Sequence, residues 1–147
     1  MNPMPTRRAL LVATGALVVA RPSLASSSAM DEAIRRLTGG APLRQGRVQI
    51  DLPELVENGN GVPVTISADS PMTAADHVTA LALFTERNPA PEVAVFRFGH
   101  RAGKARVATR LRLSTSQQVV AVALMSDGSA WSRRMDVIVT LAACVES

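Results

Sequence analysis

The chain is short of the side chains on which most protein chemistry depends. Its 147 residues include no tyrosine, one tryptophan, three phenylalanines, two histidines and one cysteine, Cys144. With no basic run interleaved with aromatics, a nucleic-acid surface is not expected. A single cysteine excludes an internal disulfide. A metal centre needs clustered ligands, yet His77 and His100 lie apart, each beside a predicted loop and in no spacing motif. A blue-copper sandwich requires a histidine, and usually a methionine, shortly after its cysteine. Only Val145, Glu146 and Ser147 follow Cys144, which excludes copper in that form. Neither a metal nor a cofactor is expected. The apolar run at residues 9–20 is shorter than the ~20 residues of a membrane-spanning helix.

That run follows Thr6-Arg7-Arg8 and ends at Arg21-Pro22, and Ser23-Leu24-Ala25 supplies a small-x-small cleavage site. Together these read as an export signal over residues 1–25, of the twin-arginine type, with general secretion as the other route. A basic arm before a buried helix is the competing reading and explains fewer of the features. The whole chain carries 16 Lys plus Arg against 12 Asp plus Glu, a net +4. Arg7, Arg8 and Arg21 leave with the leader, so 13 basic residues face 12 acidic ones and the balance is +1. That balance says nothing about nucleic acid. The 122 residues that remain of 147 make one domain with room for a proper core. Export usually brings paired cysteines, so the leftover thiol points to an intermolecular bond or a reactive group.

The domain opens with a helix. Ser28 and Asp31 resemble a helix start, Met30, Ile34 and Leu37 recur at helical spacing, and Gly39-Gly40 stops the run. Such a helix can dock a partner or cover one end of the domain. The period then becomes two. Strands are predicted over residues 47–52, 62–68, 78–85, 92–98, 104–113, 119–125 and 130–141. Turn clusters separate them, among them Glu57-Asn-Gly-Asn-Gly61 and Asn88-Pro-Ala-Pro91. Asp127-Gly128 between two β runs is a strong hairpin signal. Along residues 104–113, Val107, Thr109, Leu111 and Leu113 face one way and Arg106, Arg110 and Arg112 the other, either a solvated face or a surface for an anionic partner. Residues 78–84 are apolar on both faces, which marks a strand buried on both sides and a candidate region for a partner contact. About seven strands, one short helix and no βαβ rhythm predict an all-β fold, an immunoglobulin-like antiparallel β-sandwich over residues 26–141.

Residues 142–147 then form a short arm carrying the only thiol. Nucleophilic catalysis by Cys144 would need a base and an oxyanion site of its own, and a thiol so near the chain end is hard to hold at a catalytic angle. A handle fits better. A thiolate attacks sulfur electrophiles, and the group it gains stays attached until a partner cleaves it. The expected protein is a covalent carrier, not an enzyme.

Several stretches together resemble the SoxY family, the sulfur-carrying subunit of the periplasmic thiosulfate-oxidising Sox system. They are Asp51-Leu-Pro-Glu54, Glu57-Asn-Gly-Asn60 with Val62-Pro-Val64, Asp69-Ser-Pro-Met72, Asn88-Pro-Ala-Pro91 before Val93-Ala94, Thr109-Arg-Leu-Arg-Leu113 and Ser126-Asp-Gly-Ser129. The resemblance implies a periplasmic protein that pairs with a second sandwich, SoxZ, and has no cofactor of its own. It implies that Cys144 carries the sulfur intermediates. The implied partner enzymes are a haem c enzyme (SoxAX), a manganese-dependent hydrolase (SoxB) and a molybdenum dehydrogenase (SoxCD).

The tail departs from the family pattern. Family arms usually end Gly-Gly-Cys-Gly-Gly, whereas here the arm residues Ala142, Ala143, Val145 and Glu146 flank Cys144. Glycine permits a thin, supple arm, alanine restricts it and a β-branched valine stiffens it. Glu146 and the nearby chain end disfavour the thiolate and should push its pKa up. An arm hinged at Leu141 lets Cys144 reach ~10 Å at ~3.3 Å per residue. A SoxY-like subunit that binds a SoxZ-like partner without carrying sulfur is the alternative this tail raises.

Overall fold

The structure, a computed structural model, describes residues 23–143, with side chains described from residue 28. One helix, α1 (Ser23–Thr38), precedes nine strands: β1 (Leu43–Gln45), β2 (Val48–Asp51), β3 (Leu55–Asn58), β4 (Val62–Ala68), β5 (Val78–Thr85), β6 (Glu92–Arg97), β7 (Ala105–Leu111), β8 (Gln117–Met125) and β9 (Ala130–Leu141). No helix among the described residues is long and apolar enough to cross a membrane.

The strands form two sheets. The larger runs β1-β9-β8-β5-β6, with β3 also paired to β9, and the smaller runs β2-β4-β7. Their facing sides make the main core. From the small sheet come Val48, Val62, Val64, Ile66, Ala105 and Leu111, and from the large sheet Val78, Leu81, Leu83, Val119, Ala121, Ala123 and Val137. The two-residue period dictates this choice, because alternate side chains of a strand reach opposite faces. In β7, Leu111 is buried while Arg106 and Arg110 are exposed, as the alternation predicts; Val107 and Thr109 are only half-buried.

The fold is the predicted sandwich, with two departures. First, nine strands appear where about seven are expected, and the two extra ones, β1 and β3, both pair with β9 in parallel. Neither β1 (Leu-Arg-Gln) nor β3 (Leu-Val-Glu-Asn) alternates apolar and polar residues, unlike β2 (Val-Gln-Ile-Asp), which is no longer than β3. Their parallel partner also lies far along the chain. Second, the other face of β5 is covered from within. Its residues Ala82 and Phe84, with Val120 and Val122 of β8, pack against Met30, Ala33 and Ile34 of α1. The helix therefore lies on a face of the large sheet and does not cap one end. The double burial of residues 78–84 is intramolecular, which removes the reason for seeking a partner contact there.

Local signals hold the connections. Helix α1 ends with Gly39 and Gly40 at positive φ, and Gly40 N–H donates to the Arg35 carbonyl at 3.1 Å, the six-to-one closure of a Schellman motif. Helix is already present at Ser23, the first described residue, ahead of the Ser28 signal. Asp31 reaches Arg134 of β9 at 3.3 Å. At the β8–β9 hairpin, Gly128 takes φ 83°. Asp127 accepts bonds from the Ser129 hydroxyl (2.6 Å) and N–H (2.9 Å). These bonds, the hydroxyl first, hold the Asp127 carboxyl below its usual range.

Candidate functional site

The end of β9 is the site of interest, because it leads to the only thiol. Cys144, Val145 and Glu146 lie outside the described residues. Ala142 and Ala143 are described, and they differ: Ala142 is exposed, whereas Ala143 is buried at 6%. Three backbone hydrogen bonds account for the difference. Gly59 N–H donates to the Leu141 carbonyl at 2.9 Å, Leu113 N–H to the Gly59 carbonyl at 2.9 Å, and Ala143 N–H to the Leu113 carbonyl at 3.1 Å. The chain is thus anchored two residues beyond the end of its last strand. One hydrogen bond and one buried methyl hold Ala143 itself, worth on the order of 1–2 kcal/mol.

Gly59 is needed here for closeness. It is not among the glycines of positive φ. A Cβ at this position would overlap the Leu113 carbonyl oxygen and come within 3.1 Å of the Ala143 nitrogen. The sequence marks Gly59 as one turn residue among several, and nothing local distinguishes it from Gly61.

The body side of this anchorage is braced by side chains. Asn88 Nδ2 donates to the Arg112 carbonyl at 2.7 Å, and Asn88 Oδ1 accepts from Ser114 N–H at 3.0 Å and Gln117 Nε2 at 2.9 Å. Gln117 Oε1 accepts from Arg87 N–H at 2.7 Å. The Ser116 hydroxyl accepts from Val139 N–H at 2.8 Å, which ties the same loop to β9. Residues 57–60, 88–91 and 109–113 read from sequence as separate turns and strands. Here they converge at the root of the arm. Asn88 and Gln117 were invisible as site residues because their partners lie far off in sequence. Asn88→Ala removes the partner of the Ser114 N–H, of the Arg112 carbonyl and of one of the two bonds of Gln117 Nε2, which keeps the Thr115 carbonyl, and should cost about 1–3 kcal/mol in urea unfolding. A change within about 0.5 kcal/mol, usual for a plain surface position, would show that the loop is held otherwise.

The remaining candidates fall elsewhere. Arg106, Arg110 and Arg112 stay exposed, and Arg110 Nη1 donates to the Gly61 carbonyl at 3.1 Å. His77 and His100, apart in sequence, have ring centroids 5.8 Å apart, because Phe98 N–H bonds to the Thr79 carbonyl and brings the 98–104 loop back beside β5. Among the described residues no group of three or more His, Cys, Asp or Glu comes together to hold a metal ion. Large exposed apolar side chains, Leu55, Ile138 and Leu141, line β3 and β9 beside the arm root.

Fold and site together define a class: an immunoglobulin-like sandwich whose last strand runs out, braced at its root, toward a single cysteine. The chain belongs to the SoxY family, since the family described as "Sulfur oxidation protein SoxY" matches residues 34–144, up to and including Cys144. Among solved structures it is similar to the sulfur carrier protein SoxY from Chlorobium limicola f thiosulfatophilum. That match has 32% identity and a TM-score of 0.67 and covers 78% of this chain and 98% of that one. It also resembles a superoxide reductase (neelaredoxin) from Ignicoccus hospitalis (22% identity, TM-score 0.57, 63% of this chain and 78% of that one). A putative superoxide reductase from Thermotoga maritima matches similarly (18%, 0.57, 66% and 93%). These last two show a shared fold alone. No curated protein matches the sequence.

Proposed function

We propose that the protein is a periplasmic sulfur carrier that holds thiosulfate-derived sulfur on the Cys144 thiol and presents it to partner enzymes. The observation that carries this reading is the family match, which spans the sandwich and ends at Cys144. The likeness to a solved sulfur carrier protein supports it, as does the convergence of three family-like stretches, residues 57–60, 88–91 and 109–113, at the end of the strand that leads to this cysteine.

The chemistry asks little of the carrier. Joining thiosulfate to a thiol forms one S–S bond and releases two electrons and a proton, so an oxidising partner of the SoxAX type must take the electrons. Water then cleaves the outer S–SO3 bond at a SoxB-type hydrolase, releasing sulfate and leaving a persulfide on Cys144. A SoxCD-type dehydrogenase is the candidate to oxidise that sulfur. The carrier supplies a nucleophilic thiolate and access to it. A SoxZ-like sandwich is the expected subunit partner, and the exposed Leu55, Ile138 and Leu141 are the observation on the side of a protein contact.

The tail keeps a second reading alive, a SoxY-like subunit that pairs with its partner and carries nothing, because no glycine flanks Cys144. Intact-mass spectrometry of the protein from thiosulfate-grown cells separates the two. Sulfur or thiosulfonate additions are expected for a carrier. A uniformly unmodified thiol would leave the binding subunit as the function.

A further inference from the structure

We propose that the basic row along the outer face of β7, Lys104, Arg106, Arg110 and Arg112, is a docking surface for the acidic face of a partner protein. The proposal rests on the carrier reading and deepens it by naming the chemistry through which such a partner is recognised.

The charge of the chain is unevenly placed. From residue 93 to residue 126 there is no Asp or Glu, yet six cations fall there: Arg97, Arg101, Lys104, Arg106, Arg110 and Arg112. The other residues after position 25 hold seven basic side chains against twelve acidic ones. All six cations are exposed. The four ion pairs among the described residues, Arg36–Glu32, Arg47–Asp76, Arg87–Glu86 and Arg134–Asp31, all lie outside this run. Like charges gathered without partners repel one another, a cost to the folded chain that an acidic partner relieves.

The row shares one face because its members stand an even number of residues apart, and at ~3.4 Å per residue it spans ~27 Å. On the adjoining β4, Ser67 stands opposite Arg106, Thr65 opposite Ala108 and Pro63 opposite Arg110, none of them charged. Asp51 of β2 stands opposite Thr65, two strands or ~10 Å from the row. Asp69 lines the same shallow depression as Lys104 and Arg106 but forms an ion pair with neither. The other edge of β7 is open, since the strand pairs only with β4.

This geometry selects a protein as the occupant. Neighbours in the row stand ~7 Å or more apart, too far to converge on one small anion but suited to carboxylates spread over a surface. A lipid surface is held by apolar insertion as well as by charge. The large exposed apolar side chains, Leu55, Val93, Ile138 and Leu141, belong to β3, β6 and β9, none to the small sheet. The row also ends at the root of the arm. Arg110 Nη1 donates to the Gly61 carbonyl, the Arg112 carbonyl accepts from Asn88, and the Leu113 carbonyl accepts from Ala143 N–H. A protein seated on the row therefore borders that root.

Lys104 is the only lysine in the sequence, which gives the row its own chemical label. The probe is an oligoglutamate peptide with a blocked amino terminus, added to the mature chain at low salt. A carbodiimide activates a peptide carboxylate, the Lys104 amine attacks it, and an amide forms as the activator leaves as a urea. Coupling at Lys104, located by peptide mass, should fall about tenfold in the double variant Arg106→Gln/Arg112→Gln. It should stay within about twofold in Arg35→Gln/Arg133→Gln, which removes the same charge from exposed arginines elsewhere. None of these four side chains bonds to another described residue, so both doubles should melt with the wild type. Amide shifts during a peptide titration should centre on residues 104–112 and fade at high salt. Equal losses in the two doubles, or shifts centred elsewhere, would overturn the proposal. So would phosphatidylglycerol vesicles or free thiosulfate perturbing the same amides more strongly than the peptide. Self-association of the row variant with unchanged coupling would instead assign the row to protection of an open sheet edge. No readout involves sulfur loading, so failure of the docking surface is distinguished from failure of the carrier reading, which intact mass reports alone.

Discussion

Cys144→Ser is expected to abolish covalent sulfur loading, with no residual adduct above background. The cysteine is the only one in the sequence, so no second thiol can take over. The nucleophile in such exchange is the thiolate, with a reference pKa of about 8.5, whereas a serine hydroxyl stays protonated throughout the accessible pH range. Tetrathionate is a direct probe. The thiolate attacks an inner sulfur, one S–S bond forms, another breaks, and thiosulfate leaves, so the protein gains an S-thiosulfonate without any external oxidant. The wild-type adduct should form faster as pH rises, because the thiolate fraction grows toward and through the thiol pKa. Intact mass after timed incubation reads both effects. An adduct of equal yield in Cys144→Ser would place the sulfur on another residue and end the carrier assignment to Cys144.

Phe84→Ala should produce the largest loss of stability from a single change. Phe84 is fully buried on β5, in the layer between the large sheet and α1 where Met30, Ile34, Val120 and Val122 also pack. Removing a buried phenylalanine ring typically costs about 3–5 kcal/mol, from lost burial and from the cavity left behind. That is a large share of the roughly 5–15 kcal/mol that holds a domain together. The melting temperature should fall by roughly 10–20 °C. Urea and thermal unfolding measure it. Ile34→Ala on the helix should cost about 2–5 kcal/mol, and the double variant should be non-additive because the two sites share one layer. If Phe84→Ala cost less than about 1 kcal/mol, or if the two substitutions were strictly additive, α1 would not be seated on this face.

The parts of this molecule that were legible in advance are those with a local signal. Strands β4, β5 and β9 fall on their predicted residues: alternation marks β4, while long β-branched and apolar runs bounded by turn clusters mark β5 and β9. The β8–β9 turn was legible for a related reason, since Asp127-Gly128 supplies both the side-chain acceptor and the positive φ that a tight turn needs. Short β1 and β3 were not, having no period to show. The histidine pair and the Asn88–Gln117 brace were likewise hidden. Each joins residues whose proximity depends on how loops return across the sandwich.

The sequence by itself determined the sandwich class, its helix and seven of the strands, the family-like motifs and the identity of the only thiol. These follow from side-chain type and spacing, which act over a few residues. Tertiary structure alone decided that α1 covers the outer face of β5, that β1 and β3 pair in parallel with β9, and that the arm is anchored at Ala143 instead of Leu141. The last of these depends on three backbone hydrogen bonds among Gly59, Leu113 and the end of β9. Backbone groups are the same in every residue except proline, so no side-chain pattern announces where such bonds will form. Only the assembled sandwich brings those amides and carbonyls together.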